Sequence, residues 1–136
     1  MSLLIKAKEN RRVAEKCKVM EKFNSGASRA YYSAFQMAKH LLVKNDFSYH
    51  KFLKDHPEHC DGKEQRVYSH RTIYHALIDY LLKKGITKNN LDQLNVWDSL
   101  YNRRVKADYH EELVTKQDMD RCLKELTMIL EVLELY

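Results

Sequence analysis

The stretch Thr115-Lys116-Gln117-Asp118-Met119-Asp120-Arg121-Cys122-Leu123-Lys124-Glu125-Leu126-Thr127-Met128-Ile129-Leu130-Glu131-Val132-Leu133 decides the fold class. Met119, Cys122/Leu123, Leu126, Ile129/Leu130 and Leu133 recur every three or four residues, the spacing that lines up apolar side chains on one face of an α-helix. Thr115 carries a start signal, because its hydroxyl can accept from the backbone of the first turn while Asp118 answers from the third position.

Working back from this helix, the same periodicity predicts four more helical segments. The first runs from about Leu3 to Phe23 with Val13, Cys17 and Met20 on one face, and Asn24-Ser25-Gly26 interrupts it. A second runs from Ala27 to about Lys44, and its stripe of Ala27, Ala30/Tyr31, Ala34, Met37/Ala38 and Leu41 is small enough for close helix approach. Asn45 to Lys63 reads as a long surface loop with a short helical turn near Tyr49–Leu53; loops of this length often carry function. A third helix, Glu64 to Lys84, is expected to bury Val67, Tyr74, Leu77, Ile78 and Leu81 and to stop at Gly85. A fourth opens at Asn89/Asn90 and buries Leu91, Leu94, Trp97 and Tyr101. Amphipathic helices joined by short connections pack as an antiparallel bundle. The expectation is an all-α, up-and-down bundle of four to five helices, one domain over 1–136.

One proline and three glycines in 136 residues agree with helix nearly throughout. Three cysteines with no framework spacing read as reduced thiols, and no apolar run approaches the ~20 residues of a membrane span. A cytoplasmic protein without membrane contact is expected. The net charge of +5 is uneven: residues 1–22 carry +4, residues 107–136 carry −5, and the middle holds +6. A basic body suits a polyanionic partner, although many basic helical domains never bind nucleic acid.

The densest chemistry lies in Tyr101-Asn102-Arg103-Arg104-Val105-Lys106-Ala107-Asp108-Tyr109-His110. At ~100° per residue, Arg103 and His110 share a face, and Arg104 continues the stripe of Leu94, Trp97 and Tyr101. Two readings stand. In the first, Arg104 and Asp108 form an i,i+4 ion pair at the bundle seam, and His110 is an exposed histidine at the helix end. In the second, an arginine fork grips a phosphodiester while a histidine that titrates near neutrality moves the proton of a ribose 2′-OH. One histidine is thin for acid–base work, and a two-fold dimer would supply the second.

His56-Pro57-Glu58-His59-Cys60, with His50 and Asp61 nearby, matches no established zinc spacing and reads as a polar loop, so neither a metal nor any other cofactor is expected. Tyr31 and Tyr32 read as core and seam residues with hydroxyls to spare. Arg29 either lines the same groove or forms a salt bridge. His75 reads as structural; His70 can be imagined pointing toward the arginine window.

Three places resemble the HEPN superfamily, small helical-bundle proteins common in prokaryotic toxin–antitoxin and phage-defence systems. They are Ser28-Arg29-Ala30-Tyr31-Tyr32-Ser33-Ala34-Phe35, Ser69-His70-Arg71, and Leu100 through Tyr109. The resemblance implies a dimeric, metal-independent endoribonuclease whose motif is an Arg, four to six residues, then a His. Arg104 with five intervening residues, or Arg103 with six, fits that window and ends at His110; Arg104 and His110 are taken as the catalytic residues it implies, with Arg103, Asp108, Tyr109 and Arg29 contacting RNA. The alternative it implies is a catalytically silent HEPN module that docks a nucleotidyltransferase antitoxin or holds a nucleotide. A plain helical scaffold is the third reading. Val105 follows Arg104 where HEPN nucleases often carry a small polar residue, and Glu112 stands where some HEPN toxins carry a modified tyrosine.

Overall fold

The C-terminal helix forms where its start signal places it. Thr115 Oγ1 accepts the Asp118 N–H at 3.1 Å, and Asp118 Oδ2 accepts the Thr115 N–H at 3.1 Å, a reciprocal capping box. That backbone donor, with Lys106 beside it, holds the Asp118 carboxyl below the usual carboxylate range. The buried face is Met119, Cys122, Leu126, Ile129, Leu130, Val132 and Leu133, with Leu123 at its edge.

The computed structural model describes residues 2–57 and 70–136, and within them the chain is all-α, with no strand. The helices are α1 (Ser2–Val19), α2 (Phe23–Lys44), α3 (Tyr49–Asp55), α4 (His70–Lys83), α5 (Lys88–Gln93), α6 (Val96–Tyr109) and α7 (Lys116–Leu133). One apolar cluster runs through them, from Ala14 on α1 through Phe52 on α3 to Leu133 on α7. No described helix is long and apolar enough to cross a membrane. Cys17 and Cys122 are free and buried, and burial pushes the Cys122 thiol up to about 12.

Contacts between helices fix their directions. Ser33 Oγ on α2 donates to the Ala7 carbonyl on α1, while Gly26 packs beside Cys17, so α1 and α2 are antiparallel. Ser28 meets Asp108 and Tyr32 meets Arg104, which makes α2 and α6 antiparallel as well. Arg103 pairs with Glu125 and Lys106 with Asp118, giving the same relation for α6 and α7. The exception is α4. Its start touches Tyr31 and its end shares a cleft with Asp46 and Phe47, so it runs alongside α2 in the same direction.

Several sequence expectations are corrected. The buried face of α1 is Ala7, Asn10, Ala14 and Cys17, while Val13 is 41% and Met20 is 60% exposed. Small side chains let α1 lie close against α2, and the larger apolar residues are left outside that seam. Asn24-Ser25-Gly26 does not interrupt the helices but belongs to the first turn of α2. The break falls at Met20–Lys22, where Glu21 adopts φ 58° and the Lys22 N–H reaches the Cys17 carbonyl at 2.8 Å. This is a Schellman ending built without glycine. At the end of α4 the same motif uses Gly85 at φ 79°, with the Ile86 N–H on the Leu81 carbonyl, as its position in the sequence implied. The buried face of α4 is Thr72, Ile73, Ala76, Leu77, Tyr80 and Leu81, so Tyr74 and Ile78 sit at its margin. The expected fourth helix is two, α5 and α6, separated at Leu94-Asn95, and Thr87 rather than Asn89 caps the first. Glu58 through Ser69 lie outside the described residues, as do the readings that fell on Val67, on the 64–69 start of the third helix, and on His59, Cys60 and Asp61.

Gly26 sits where α1, α2 and α7 converge. A Cβ there would stand 2.6 Å from Met119 Sδ and 3.1 Å from Cys17 Cβ. Gly26→Ala is expected to be close to neutral, because the thioether end can swing away and alanine favours helix. Gly26→Val adds two branches against a fully buried Met119 and is expected to lose about 1–3 kcal/mol in denaturant unfolding. Equal stability of all three proteins would show that the three helices do not meet as closely as described.

Candidate functional site

On α6 the buried residues are Trp97, Leu100 and Arg104, so the arginine occupies a position that the helical period reserves for an apolar side chain. A buried guanidinium must find partners. Arg104 Nη2 donates to Tyr32 Oη at 2.7 Å and more weakly to Tyr109 Oη at 3.4 Å. Its Cζ lies 5.2 Å from the centroids of both rings, a cation–π arrangement with each. Arg104 Nε stands 2.8 Å from Asp108 Oδ2, but its N–H is not aimed at that oxygen, so the contact is ionic rather than a directed hydrogen bond. Burial works against the charge, and Tyr32, Tyr109 and Asp108 together outweigh it, leaving the guanidinium pKa raised.

Behind this cluster lies an aromatic layer. Tyr31 is fully buried, with its hydroxyl 2.8 Å from His70 Nδ1 across from α4. Burial first, then the neighbouring Tyr101, raises the Tyr31 phenol, so it stays protonated. Burial and the positive charge of Arg104 lower the His70 pKa below 6.5. His70 therefore faces the cluster as a neutral ring, in contact with Tyr32, Phe35 and Tyr101.

A depressed histidine pKa has a defined consequence for stability. The unfolded chain binds the proton at about pH 6.5, whereas the folded one resists it to lower pH. The contribution is therefore complete above 6.5 and lost as pH falls through the folded value. The thermal midpoint of the wild type should exceed that of His70→Gln by more at about pH 7.5 than at about pH 5. A pH-independent difference would mean that His70 is not desolvated.

The other residues of the arginine window separate. Arg103 donates to Ser99 Oγ at 2.5 Å, pairs with Glu125 on α7, and lies 3.9 Å from Asp118. It binds α6 to α7 rather than facing outward. His110 ends α6 with extended backbone at φ −96° and ψ 153°, and its side chain is exposed, with no hydrogen bond or ion pair among the described residues. Arg104 and His110 are thus not brought together within one chain: the arginine turns inward and the histidine leaves the helix. Tyr109 is 70% exposed and lies over the guanidinium. Arg29 Nη1 donates to Asn10 Oδ1 at 3.1 Å, and Asn10 in turn donates to Gln36, joining α1 to α2.

Beside the Arg104 cluster, α1, the start of α2 and the end of α6 enclose an open groove of about 680 Å³. Lys22, Ser25, Ser28, Arg29, Tyr32 and Asp108 line it. Two cations and three hydroxyls can hold an anionic backbone, while Asp108 faces the same space with Ser28 Oγ at 3.4 Å. Lys22 and Ser25 escaped the sequence reading because they lie outside every motif; only the fold brings them beside Asp108. Asn24 accepts the Val114 N–H at 2.8 Å and so ties the segment that follows His110 to the start of α2.

No protein-family model, curated protein or solved structure matches this chain.

Proposed function

We propose that the chain is an endoribonuclease of toxin or phage-defence type, acting on RNA as a homodimer without a metal, as the resemblance to HEPN proteins implies. The observation that carries this reading is His110, an exposed imidazole without a hydrogen bond or ion pair among the described residues, following the helix that walls a groove with Lys22 and Arg29. Lys22 and Arg29 hold the phosphodiester. One His110 removes the 2′-OH proton as that oxygen attacks phosphorus, and the partner subunit's His110 protonates the departing 5′ oxygen. The products are a 2′,3′-cyclic phosphate and a 5′-hydroxyl. Arg104 acts as a positioning residue that fixes Tyr32, Asp108 and Tyr109 in the groove wall. Exposed Val19, Met20, Tyr109 and Leu113 gather at this end of the bundle and give an isologous interface its apolar rim.

A second reading is favoured by the burial of Arg104 and its ion pair with Asp108. In it the chain is a catalytically silent HEPN module, and the groove docks a nucleotidyltransferase or holds a nucleotide. Incubating RNA with the purified full chain in excess EDTA separates the two. Cyclic phosphate ends that disappear in His110→Ala support the nuclease. RNA that is bound intact, with binding weakened by Lys22→Ala, supports the silent module.

A further inference from the structure

Three side chains form a hydrogen-bonded line from the seam of α1 and α2 to the groove. Asn10 Nδ2 donates to Gln36 Oε1 at 2.6 Å, and Asn10 Oδ1 accepts from Arg29 Nη1 at 3.1 Å. A guanidinium has donors only, so it fixes which end of the Asn10 amide faces it. The other end must then donate, and the Gln36 carbonyl oxygen takes it. Asn10 is only 8% exposed and shares the buried face of α1 with Ala7 and Ala14. An amide in such a seam is costly unless both of its ends are bonded, and here both are. Arg29, by contrast, is exposed and lines the groove.

What sets Arg29 apart is the neutrality of its tether. Arg103 is held by Glu125 and Asp118, Arg104 by Asp108, and Arg11 by Glu15, so each carries a counter-charge. Arg29 has no carboxylate within ion-pair distance among the described residues. Most of its N–H donors stay open. We propose that Asn10 is a positioning residue, which aims Arg29 at an anion in the groove without neutralising it. This role rests on the proposed binding of an RNA backbone in that groove. An untethered arginine gives up side-chain freedom when it binds, and a tether settles part of that cost beforehand. A carboxylate in place of the amide would orient the guanidinium equally well, but an incoming phosphate would then have to displace it.

The test is binding of a 2′-O-methylated single-stranded RNA to the full chain in EDTA at several salt concentrations. Such an RNA lacks the attacking hydroxyl and stays intact. Each phosphate held by a cation contributes about 0.7 to the slope of log affinity against log salt. Arg29→Ala should lower that slope by about 0.7 and weaken binding about tenfold. Asn10→Asp should reproduce both losses, because its carboxylate engages Arg29. Asn10→Ala keeps the charge but frees it, so binding should weaken about three- to tenfold with the slope unchanged. In an Arg29→Ala background, Asn10→Ala should have no further effect. Asn10→Asp should fold, because the half-buried Gln36 can turn its amide nitrogen to the carboxylate. Where an Asn10 variant fails to fold, Gln36→Ala releases the far end of the line and should weaken binding with the slope kept. Wild-type affinity and slope in the folded variants, while Arg29→Ala loses both, overturns the role of Asn10 and leaves RNA binding in the groove intact. An equal effect of Asn10→Ala in both backgrounds makes Asn10 a packing residue and overturns it too. Binding indifferent to both Lys22→Ala and Arg29→Ala removes RNA from the groove, and the role of Asn10 falls with it.

Discussion

Arg104→Ala is expected to cost roughly 2–4 kcal/mol in denaturant unfolding. Three contributions are lost together. The guanidinium lies over two phenol rings, an arrangement worth about 0.5–2 kcal/mol. It supplies the hydrogen bond to Tyr32 and the counter-charge of Asp108. Its stem also fills a position on the buried stripe of α6. The reciprocal change, Asp108→Ala, strands a guanidinium in a residue only 7% exposed, whereas loss of Arg104 leaves a carboxylate that water can reach. The double variant should therefore be less destabilised than the sum of the singles. Arg104→Met separates packing from charge. A buried ion pair replaced by apolar packing is often neutral, so Met should recover more than half of the loss caused by Ala. A methionine variant as unstable as the alanine one would place the stabilisation in the charge, and additivity in the double variant would remove the ion pair from the account.

The same contrast between packing and charge explains what the sequence discloses. α7 is legible because apolar residues, most of them large, occupy its buried positions and a reciprocal cap marks its start. α1 is not, because its seam with α2 is built from Ala7, Asn10 and Ala14, and hydrophobicity is a poor guide where close approach selects small side chains. Its end is hidden for a related reason: Glu21 takes the left-handed conformation that Gly85 takes openly. At the site, the spacing of Arg104 and Asp108 is local, and the ion pair is readable from it. The two tyrosines around Arg104 are not equivalent in this respect. Tyr109 is one turn away, but Tyr32 is 72 residues distant, and only the antiparallel register of α2 and α6 brings its hydroxyl to the guanidinium. His70 is placed by the parallel course of α4 beside α2, which periodicity does not encode. The spacing of Arg104 and His110 is likewise visible in the sequence, but it measures distance along a helix. It is silent on the turn of the backbone at His110 that points the two side chains apart.

His110→Ala tests whether that outward histidine does the work proposed for it. Its side chain is exposed and makes no hydrogen bond or ion pair among the described residues, so the variant should unfold within about 0.5 kcal/mol of the wild type. RNA cleavage in EDTA should nevertheless fall by about two to four orders of magnitude, the usual contribution of a general acid or base. A single imidazole per chain must serve either as base toward the 2′-OH or as acid toward the 5′ oxygen, and two-fold symmetry is what allows both at once. That requirement is measurable by mixing. When wild-type and His110→Ala subunits are unfolded together and refolded, a mixed dimer holds one imidazole only. If both are needed, activity follows the square of the wild-type fraction; if each subunit works independently with its own imidazole, it follows the fraction itself. A quadratic dependence places the two copies of His110 at one shared phosphodiester. A linear one keeps the nuclease but confines its chemistry to a single subunit, where the second proton must be carried by another group or by water. Unchanged cleavage in the fully substituted protein would remove His110 from the reaction and, with it, the observation on which the nuclease reading rests.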